Sequence, residues 1–339
     1  MKPHEPYAYF DALTRIGPRK AKHPAHPWKL DELVVEMEHC SISSALVWDY
    51  RTLHYDAMFA NRALSEQLSK YDHLHAVWNI LPEGDEMPGG RTLGCELEER
   101  GVRAVSIHPK TNTWRLLSPE SDALLRSVAQ WGLPVFISRP EIQGFDELEV
   151  LLARHTELNF IFTGAGWREQ RQIIPLLRRY RNFHITFEKF QIHYGPEDLV
   201  AEGLEDQLIF GSDAPAMSVG AHRSYIDLAD VPQIAARKIA SGNLLRLTGL
   251  PTPSTRSNGG EDDIMSAIRH GRPLPFPAVD MHMHVLDEGL NGGGEEYRMS
   301  RGGPSGVLPL LKRLGIIGGG FMSWNGTVGC DAVDGNRCT

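Results

Sequence analysis

Val279-Asp280-Met281-His282-Met283-His284-Val285 places one aspartate and two histidines in a short apolar run. Side chains alternate between the two faces of a β-strand, so residues two positions apart point the same way. The run therefore predicts a strand that presents the imidazoles of His282 and His284 side by side. Two imidazoles on one face are a familiar pair of ligands for a divalent metal such as zinc.

Composition and charge are those of a soluble globular protein. The 339 residues are 41% hydrophobic and 23% charged, and the formal net charge is -8. The negative charge argues against a nucleic-acid surface, and no apolar run is long enough to span a bilayer. The chain has no signal-peptide core at its amino terminus and no C-x-x-C motif among its four cysteines. We therefore expect a cytoplasmic protein with reduced thiols.

Between residues 7 and 250 the chain alternates eight strand patterns with helical patterns. The predicted strands begin, in chain order, at Tyr7, Ser44, His75, Gly101, Pro134, Leu158, Asn182 and Gln207. Eight strands, each followed by a helical pattern, in roughly 250 residues predict an α/β fold of the (β/α)8 TIM-barrel type. An open doubly wound sheet is the alternative, which the number and regularity of the units disfavour.

Beyond residue 250 the composition changes, and the chain then repeats its own beginning. Residues 251–277 are rich in Pro and Ser and are predicted to form a linker. From about Ala278 the chain matches the region after Tyr9, since Val279-Asp280 corresponds to Phe10-Asp11. Residues 278–339 are therefore expected to begin a second barrel that ends within its second helix, as in a truncated tandem protein. The alternative is a tail that lies against the first barrel.

These motifs resemble the amidohydrolase superfamily, in particular the amidohydrolase-related metal-dependent hydrolases and carboxy-lyases. The resemblance rests on Asp280-x-His-x-His, on Phe210-Gly211-Ser212-Asp213-Ala214-Pro215 and on residues 239–247. It implies a divalent metal, usually zinc, at the carboxyl end of the barrel. It also implies metal ligands on strand one (His-x-His), on strands five and six (His) and on strand eight (Asp). Such a metal lowers the pKa of bound water toward ~7 and polarises the bond to be broken.

The first barrel departs from this pattern at nearly every ligand position. The His-x-His of strand one aligns with Leu13-Thr14-Arg15, and the histidines of strands five and six align with Ser138 and Gly164. Asp213 remains as the candidate catalytic carboxylate, while Arg15 places a cation where the metal is expected. A catalytic zinc needs about three protein ligands. We therefore expect this barrel to be a pseudoenzyme that has lost the metal chemistry of the family.

Three further side chains at the barrel rim are candidate substrate-binding groups. Arg15 and Arg139 could bind a carboxylate or a phosphate, and His108 follows the fourth predicted strand. The alternative for each is a structural or solvent-facing role, because Arg and His are common at loop rims. For Asp213 the alternative is a role in a turn or a helix cap.

The function expected from the resemblance is metal-dependent hydrolysis of a C–N or C–O bond in a small molecule, with activity impaired or absent in this chain. Two alternatives stay open. One is a non-catalytic barrel that binds a small carboxylate or supports a catalytic partner domain, and the other is a metal-dependent decarboxylase. His282, His284 and Asp213 are the candidate metal ligands, with zinc as the expected metal. We expect a small-molecule substrate and no nucleic-acid or membrane partner, and a homo-oligomer is left open.

Overall fold

The computed structural model describes residues 3–19, 29–253, 260–290, 298–329 and 331–339. The strands are β1 (Tyr9–Ile16), β2 (Ile42–Asp49), β3 (Leu74–Asn79), β4 (Ala104–Ile107), β5 (Val135–Ser138), β6 (Phe160–Thr163), β7 (Phe183–Thr186), β8 (Leu208–Ile209), β9 (Ala278–Val285) and β10 (Ile316–Ser323). The helices are α1 (Leu30–His39), α2 (Arg51–His54), α3 (Ala57–Leu68), α4 (Gly90–Glu99), α5 (Pro119–Trp131), α6 (Phe145–Arg154), α7 (Gln170–Arg179), α8 (Gly195–Ala201), α9 (Val219–Asp227), α10 (Gln233–Arg237), α11 (Asn243–Thr248), α12 (Asp263–Arg269), α13 (Pro304–Leu314), α14 (Trp324–Thr327) and α15 (Ala332–Cys338). None of the helices in these ranges is long and apolar enough to cross a membrane.

Strands β1 to β8 form one parallel sheet in chain order. The first strand, β1, also forms hydrogen bonds with the chain segment that follows β8. The N–H of Ala12 donates to the carbonyl of Phe210 at 3.0 Å, and the N–H of Arg15 donates to the carbonyl of Ala214 at 2.7 Å. The sheet is therefore a nearly closed ring. This confirms the predicted α/β barrel and excludes the open doubly wound sheet.

The interior of the barrel is filled by apolar side chains from alternate positions of the strands. The cluster contains Phe10, Leu13, Leu46, Val77, Phe136, Ile161 and Ile209, together with Leu244 and Leu247 of α11. A second, larger hydrophobic cluster lies between the strands and the surrounding helices. Burial on both faces explains why the strands read as nearly continuous apolar runs.

A buried carboxylate, Asp11, links β1 to the segment after β8. Its Oδ1 accepts the N–H groups of Leu13 and Ser212, both at 3.0 Å. Its Oδ2 has no hydrogen-bond partner among the described residues. Burial raises the pKa of this carboxyl to about 6, and the hydrogen bonds oppose the rise only in part. Asp11 thus supports closure of the barrel. Burying its carboxyl group destabilises the folded protein more when the group is ionised.

The segment predicted as a linker, residues 251–277, contains ordered structure. Residues 254–259 lie outside the described residues. In the remainder α12 forms, and its Met265 and Ile268 pack into the larger hydrophobic cluster. This part of the segment is therefore attached to the barrel through apolar contacts.

Strands β9 and β10 form a separate two-stranded parallel sheet, with α13 between them in the chain. This carboxyl-terminal unit contacts the barrel mainly near α8. The hydroxyl of Tyr194 donates to the carbonyl of Gly306 at 2.7 Å, and the Arg301 guanidinium lies 3.6 Å from the centre of the Tyr194 ring. Arg313 forms an ion pair with Glu197. Polar and aromatic contacts therefore attach the unit to the outside of the barrel.

The pairing of β9 with β10 repeats the pairing of β1 with β2. Every paired position of β9 lies 269 residues after its counterpart in β1, and every paired position of β10 lies 274 residues after its counterpart in β2. The irregularities of register fall at the same two places in both pairs. Asp280 accepts the N–H of His282 at 2.9 Å, just as Asp11 accepts the N–H of Leu13. Leu13 and Arg15 are therefore the structural counterparts of His282 and His284.

We expect the substitution Asp11→Asn to remove a pH-dependent term from the free energy of unfolding. Because folding raises the pKa of Asp11 from 3.8 to about 6, its contribution is fully present below about pH 4 and is lost as the pH rises through about 6. Asparagine does not ionise. The stability of the variant relative to the wild type should therefore increase between pH 4 and pH 7, by up to about 3 kcal/mol.

Urea unfolding at several pH values measures this difference. Asp11→Ala is the matched control, because it removes both hydrogen bonds and should destabilise the protein at every pH. A stability difference between Asp11→Asn and the wild type that does not change with pH would contradict the prediction.

Candidate functional site at the carboxyl end of the barrel

The carboxyl ends of the barrel strands carry polar side chains that meet at one end of the molecule, here called the mouth. In (β/α)8 barrels this end carries the site, because the loops and strand ends converge there. The polar side chains at the mouth are Arg15, Trp48, Asn79, His108, Thr163, Glu188 and Asp213. Most of them are buried, so the electrostatic interactions between them are stronger than they would be in water.

The centre of the mouth is an ion pair between Arg15 and Asp213. Nε of Arg15 donates to Oδ1 of Asp213 at 2.8 Å, and both side chains are 14% exposed. The guanidinium carbon lies 4.9 Å from the centre of the Trp48 ring and 5.5 Å from that of Tyr50. Asp213 has a positive φ of 55°, a conformation that Asp tolerates better than most residues. The cation is therefore fixed by one carboxylate and two aromatic faces.

His108 is buried at the end of β4 and faces the carboxylate of Glu141. Its Nδ1 lies 3.6 Å from Oε1 of Glu141, which also accepts the hydroxyl of Thr111 at 2.6 Å. Oε2 of Glu141 accepts the N–H groups of Lys110 and Thr111. Burial disfavours the charge of Glu141, but the contacts from His108 and Thr111 outweigh it and lower the pKa to about 2. Burial, assisted by the charge of Arg15, lowers the pKa of His108 and favours a neutral imidazole.

Glu188 is a second buried carboxyl group, just after β7. Its Oε1 accepts the N–H of Gly164. Burial raises the pKa of Glu188, and the negative charge of Asp213 adds to the effect. The protonated form is thereby favoured, so Glu188 can offer a hydrogen-bond donor to a ligand in the mouth.

Five buried polar atoms at the mouth have no hydrogen-bond partner among the described residues. They are Nε1 of Trp48, Oδ1 of Asn79, Nε2 of His108, Oγ1 of Thr163 and Oε2 of Glu188. An unsatisfied buried polar atom costs about 1–3 kcal/mol, and native structures have few of them. Their concentration at the ends of five different strands is the arrangement expected of a site that receives a polar ligand.

Trp48, Thr163 and Glu188 are site residues that the sequence motifs do not reveal. A usable signal was present, because Trp48 and Thr163 are the last residues of two predicted strands. Glu188 immediately follows the seventh predicted strand. Listing the polar residue at the carboxyl end of each strand would have found all three.

Arg139 lies on the rim of the mouth and is engaged by neighbouring side chains. Its Nε donates to Glu169, and its guanidinium lies 5.2 Å from the centre of the Phe145 ring. The Arg139 side chain is 32% exposed. Its Nε is used by Glu169, so the terminal nitrogens of its guanidinium are the part that can contact a ligand.

His282 and His284 lie together on β9, with ring centres 5.2 Å apart. His284 also contacts Trp324, and the centres of the two rings are 5.0 Å apart. Burial lowers the pKa of His284, and the neighbouring His282 adds to the effect. The structure thus brings the two histidines together on one sheet and, separately, brings Arg15 together with Asp213.

The described residues do not fit the metal that the resemblance implies. In the described ranges no three His, Cys, Asp or Glu side chains form a group that could hold a metal ion. At the mouth, the ligand-type side chain Asp213 is engaged by the guanidinium of Arg15. No step of a reaction can therefore be derived through a metal in this barrel.

The sequence model of the amidohydrolase family matches residues 52–250. The chain belongs to the amidohydrolase family. A comparison with curated proteins gave no significant match.

Solved structures with the same fold include several aromatic-acid decarboxylases. The 5-carboxyvanillate decarboxylase of Sphingomonas paucimobilis shares 13% identity, with 72% of this chain and 100% of that chain covered and a TM-score of 0.54. The 2,6-dihydroxybenzoate decarboxylase of Rhizobium shares 15%, with 72% and 99% covered and a TM-score of 0.54. The dihydroxybenzoic acid decarboxylase of Polaromonas sp. JS666, with bound manganese and 2-nitroresorcinol, shares 13%, with 72% and 97% covered and a TM-score of 0.54. At these identities the likeness establishes the fold of this amidohydrolase-family barrel alone.

We expect the substitution Glu141→Gln to destabilise the protein at neutral pH. Because the pKa of Glu141 is lowered on folding, its contribution is present above about pH 4.5 and is lost as the pH falls through about 2. The expected loss is about 2 kcal/mol at pH 7 and should shrink steadily below pH 4.

Urea unfolding between pH 3 and pH 7 measures this loss. Glu157→Gln is the matched control, because the Glu157 side chain is 51% exposed and lies 3.8 Å from His155. An equal loss of stability at pH 3 and pH 7 in Glu141→Gln would be inconsistent with the proposed network.

Proposed function

We propose that this protein is an amidohydrolase-family barrel that binds a small organic carboxylate at its mouth. Metal-dependent hydrolysis by this barrel is impaired or absent. The observation that carries the proposal is the Arg15–Asp213 ion pair, which is surrounded by buried polar atoms without partners. A cation in a partly exposed position, next to unused donors, favours an anionic ligand.

The charges around Arg15 support a carboxylate rather than a cationic ligand. Nε of Arg15 is used by Asp213, so the terminal nitrogens of the guanidinium can form a two-point contact with a second carboxylate. Nε1 of Trp48 supplies another donor. Burial raises the pKa of Glu188 and so lessens the negative charge that this group places close to the ligand.

The class of ligand is suggested by the proteins of similar fold. Those named above are decarboxylases of 5-carboxyvanillate and of dihydroxybenzoates, and all of these compounds are aromatic acids. An aromatic acid also suits the Trp48 ring beside Arg15. A metal-dependent decarboxylase is the second candidate, favoured by the same similarities. The described residues of this barrel, however, provide no set of metal ligands for such an enzyme.

We propose further that residues 1–250 form the first barrel, residues 251–277 a connecting segment and residues 278–339 the opening of a second amidohydrolase-type barrel. The repeated pairing of β9 with β10 supports this division. His282 and His284 are then inherited metal ligands, and their imidazoles suit zinc. In this proposal the metal chemistry of the family belongs to the second barrel, while the first keeps a binding role.

We expect the protein to bind 2,6-dihydroxybenzoate in buffer that contains a metal chelator, as measured by isothermal titration calorimetry. The substitution Arg15→Met should weaken binding at least tenfold, which corresponds to about 1.4 kcal/mol. The loss follows from removal of the guanidinium whose terminal nitrogens form the proposed two-point contact with the ligand carboxylate.

Two further variants sharpen this experiment. Arg178→Met is the matched control, because Arg178 forms an exposed ion pair with Glu202 on the outer surface and should leave binding unchanged. The double variant Arg15→Met/Asp213→Asn also lacks the carboxylate that Arg15→Met leaves without a counter-charge. Its binding of 2,6-dihydroxybenzoate should still be weak. Binding that needs added metal, or that is equally strong without Arg15, would overturn the proposal.

A further inference from the structure

The register shared by β1–β2 and β9–β10 identifies which barrel residues occupy the positions of the two histidines. Arg15 is paired with Trp48 in the β1–β2 register at the position where His284 is paired with Met322 in the β9–β10 register. Two residues earlier, Leu13 occupies the position of His282. In both units the aspartate carboxylate accepts the N–H two residues later, that of Leu13 in β1 and that of His282 in β9, a contact here called the aspartate clamp. Because the clamp is shared, the backbone at these positions is the same and only the side chains differ.

The replacements change both the charge and the ligand character of the mouth. Leu13 is 1% exposed and belongs to the apolar cluster inside the barrel. Arg15 extends above it and places its guanidinium on Asp213. A carboxylate that is largely buried needs a counter-charge, and a guanidinium carried by the chain supplies one permanently.

We infer that Arg15 is a covalently attached substitute for a metal ion in this barrel. Its guanidinium neutralises and orients Asp213, and its presence excludes a divalent cation from the same carboxylate. It follows that exchanging Leu13 and Arg15 for the residues of the duplicate creates a metal site. Two histidines together with Asp213 supply the three protein ligands that an open zinc-type centre needs. This inference is independent of whether the mouth binds a carboxylate.

The spacing of the histidines on β9 supports the expected geometry. His282 and His284 keep their ring centres 5.2 Å apart on a strand with the same register as β1. Histidines at positions 13 and 15 should project in the same way, toward the side of β1 that faces Asp213. Gly211 packs directly against Leu13, because a Cβ at position 211 would lie only 3.3 Å from the Cβ of Leu13, so any side chain there would crowd an imidazole at position 13.

The test is cobalt binding by the full chain after chelator treatment. All variants carry His282→Ala and His284→Ala, so that the histidines of β9 contribute no signal. In this background Leu13→His combined with Arg15→His should bind one Co²⁺ per chain, with a visible d–d absorption band and a metal content confirmed by mass spectrometry. Adding Asp213→Asn should weaken binding at least tenfold, and the background with Leu13 and Arg15 intact should bind no stoichiometric Co²⁺.

Two results of this titration would overturn the inference. One is stoichiometric Co²⁺ in the background protein that is lost in Asp213→Asn, because Arg15 would then not exclude the metal. The other is a folded double-histidine variant that binds no Co²⁺.

If the double-histidine variant does not fold, a measurement of thermal stability tests the inference instead. Arg15→Gln leaves Asp213 without its counter-charge and should lower the melting temperature by about 2–4 °C. Asp213→Asn added to Arg15→Gln should recover at least half of that loss. An Arg15→Gln variant as stable as the wild type would show that Asp213 needs no cation, and the inference would fail.

Discussion

The contact between β1 and the chain after β8 is the constraint on which the rest of this barrel depends. β8 itself has only two residues, Leu208–Ile209, so the closing edge has few regular ladder hydrogen bonds. The backbone of Arg15 and the carboxylate of Asp11 supply bonds there, to Ala214 and Ser212. The Arg15 side chain at the same time forms the ion pair at the mouth. Closure of the barrel and the chemistry of the mouth therefore share one residue.

The barrel and most of its elements could be predicted from the sequence because hydrophobic periodicity is a local property. Periodicity predicts a helix over Leu30–His39, and α1 has these bounds. The first strand is predicted over Tyr7–Leu13, whereas β1 runs from Tyr9 to Ile16. The extension was missed because Thr14 and Arg15 look too polar for a buried strand. Their side chains find partners that come from other parts of the chain, the carbonyl of Leu46 on β2 and the carboxylate of Asp213 after β8.

The partners of the site residues could not be predicted, since they come from distant parts of the chain. His108 was recognised as a rim residue, but Glu141, which fixes its orientation, lies in the next βα unit. His184 lies inside the seventh predicted strand, where periodicity alone does not decide which way its side chain points. The structure buries it with Nε2 3.2 Å from Oδ1 of Asn159. Its pKa is lowered to about 3, by burial above all. Residue types at strand ends suggest a site, whereas its charge state depends on the packing of several units.

The duplicated unit separates what a strand pair encodes by itself from what the whole barrel adds. β1 and β2 are buried among other strands, yet their register and their aspartate clamp recur in β9 and β10, where two strands pair alone. The counterparts of the fully buried Phe10 and Ala12 are Val279 and Met281, which are 57% and 74% exposed. Register is thus fixed within the unit, whereas burial depends on the other strands. The site likewise depends on the whole barrel. Asp213 follows the last strand and Arg15 lies on the first, so the two side chains meet only where the barrel closes.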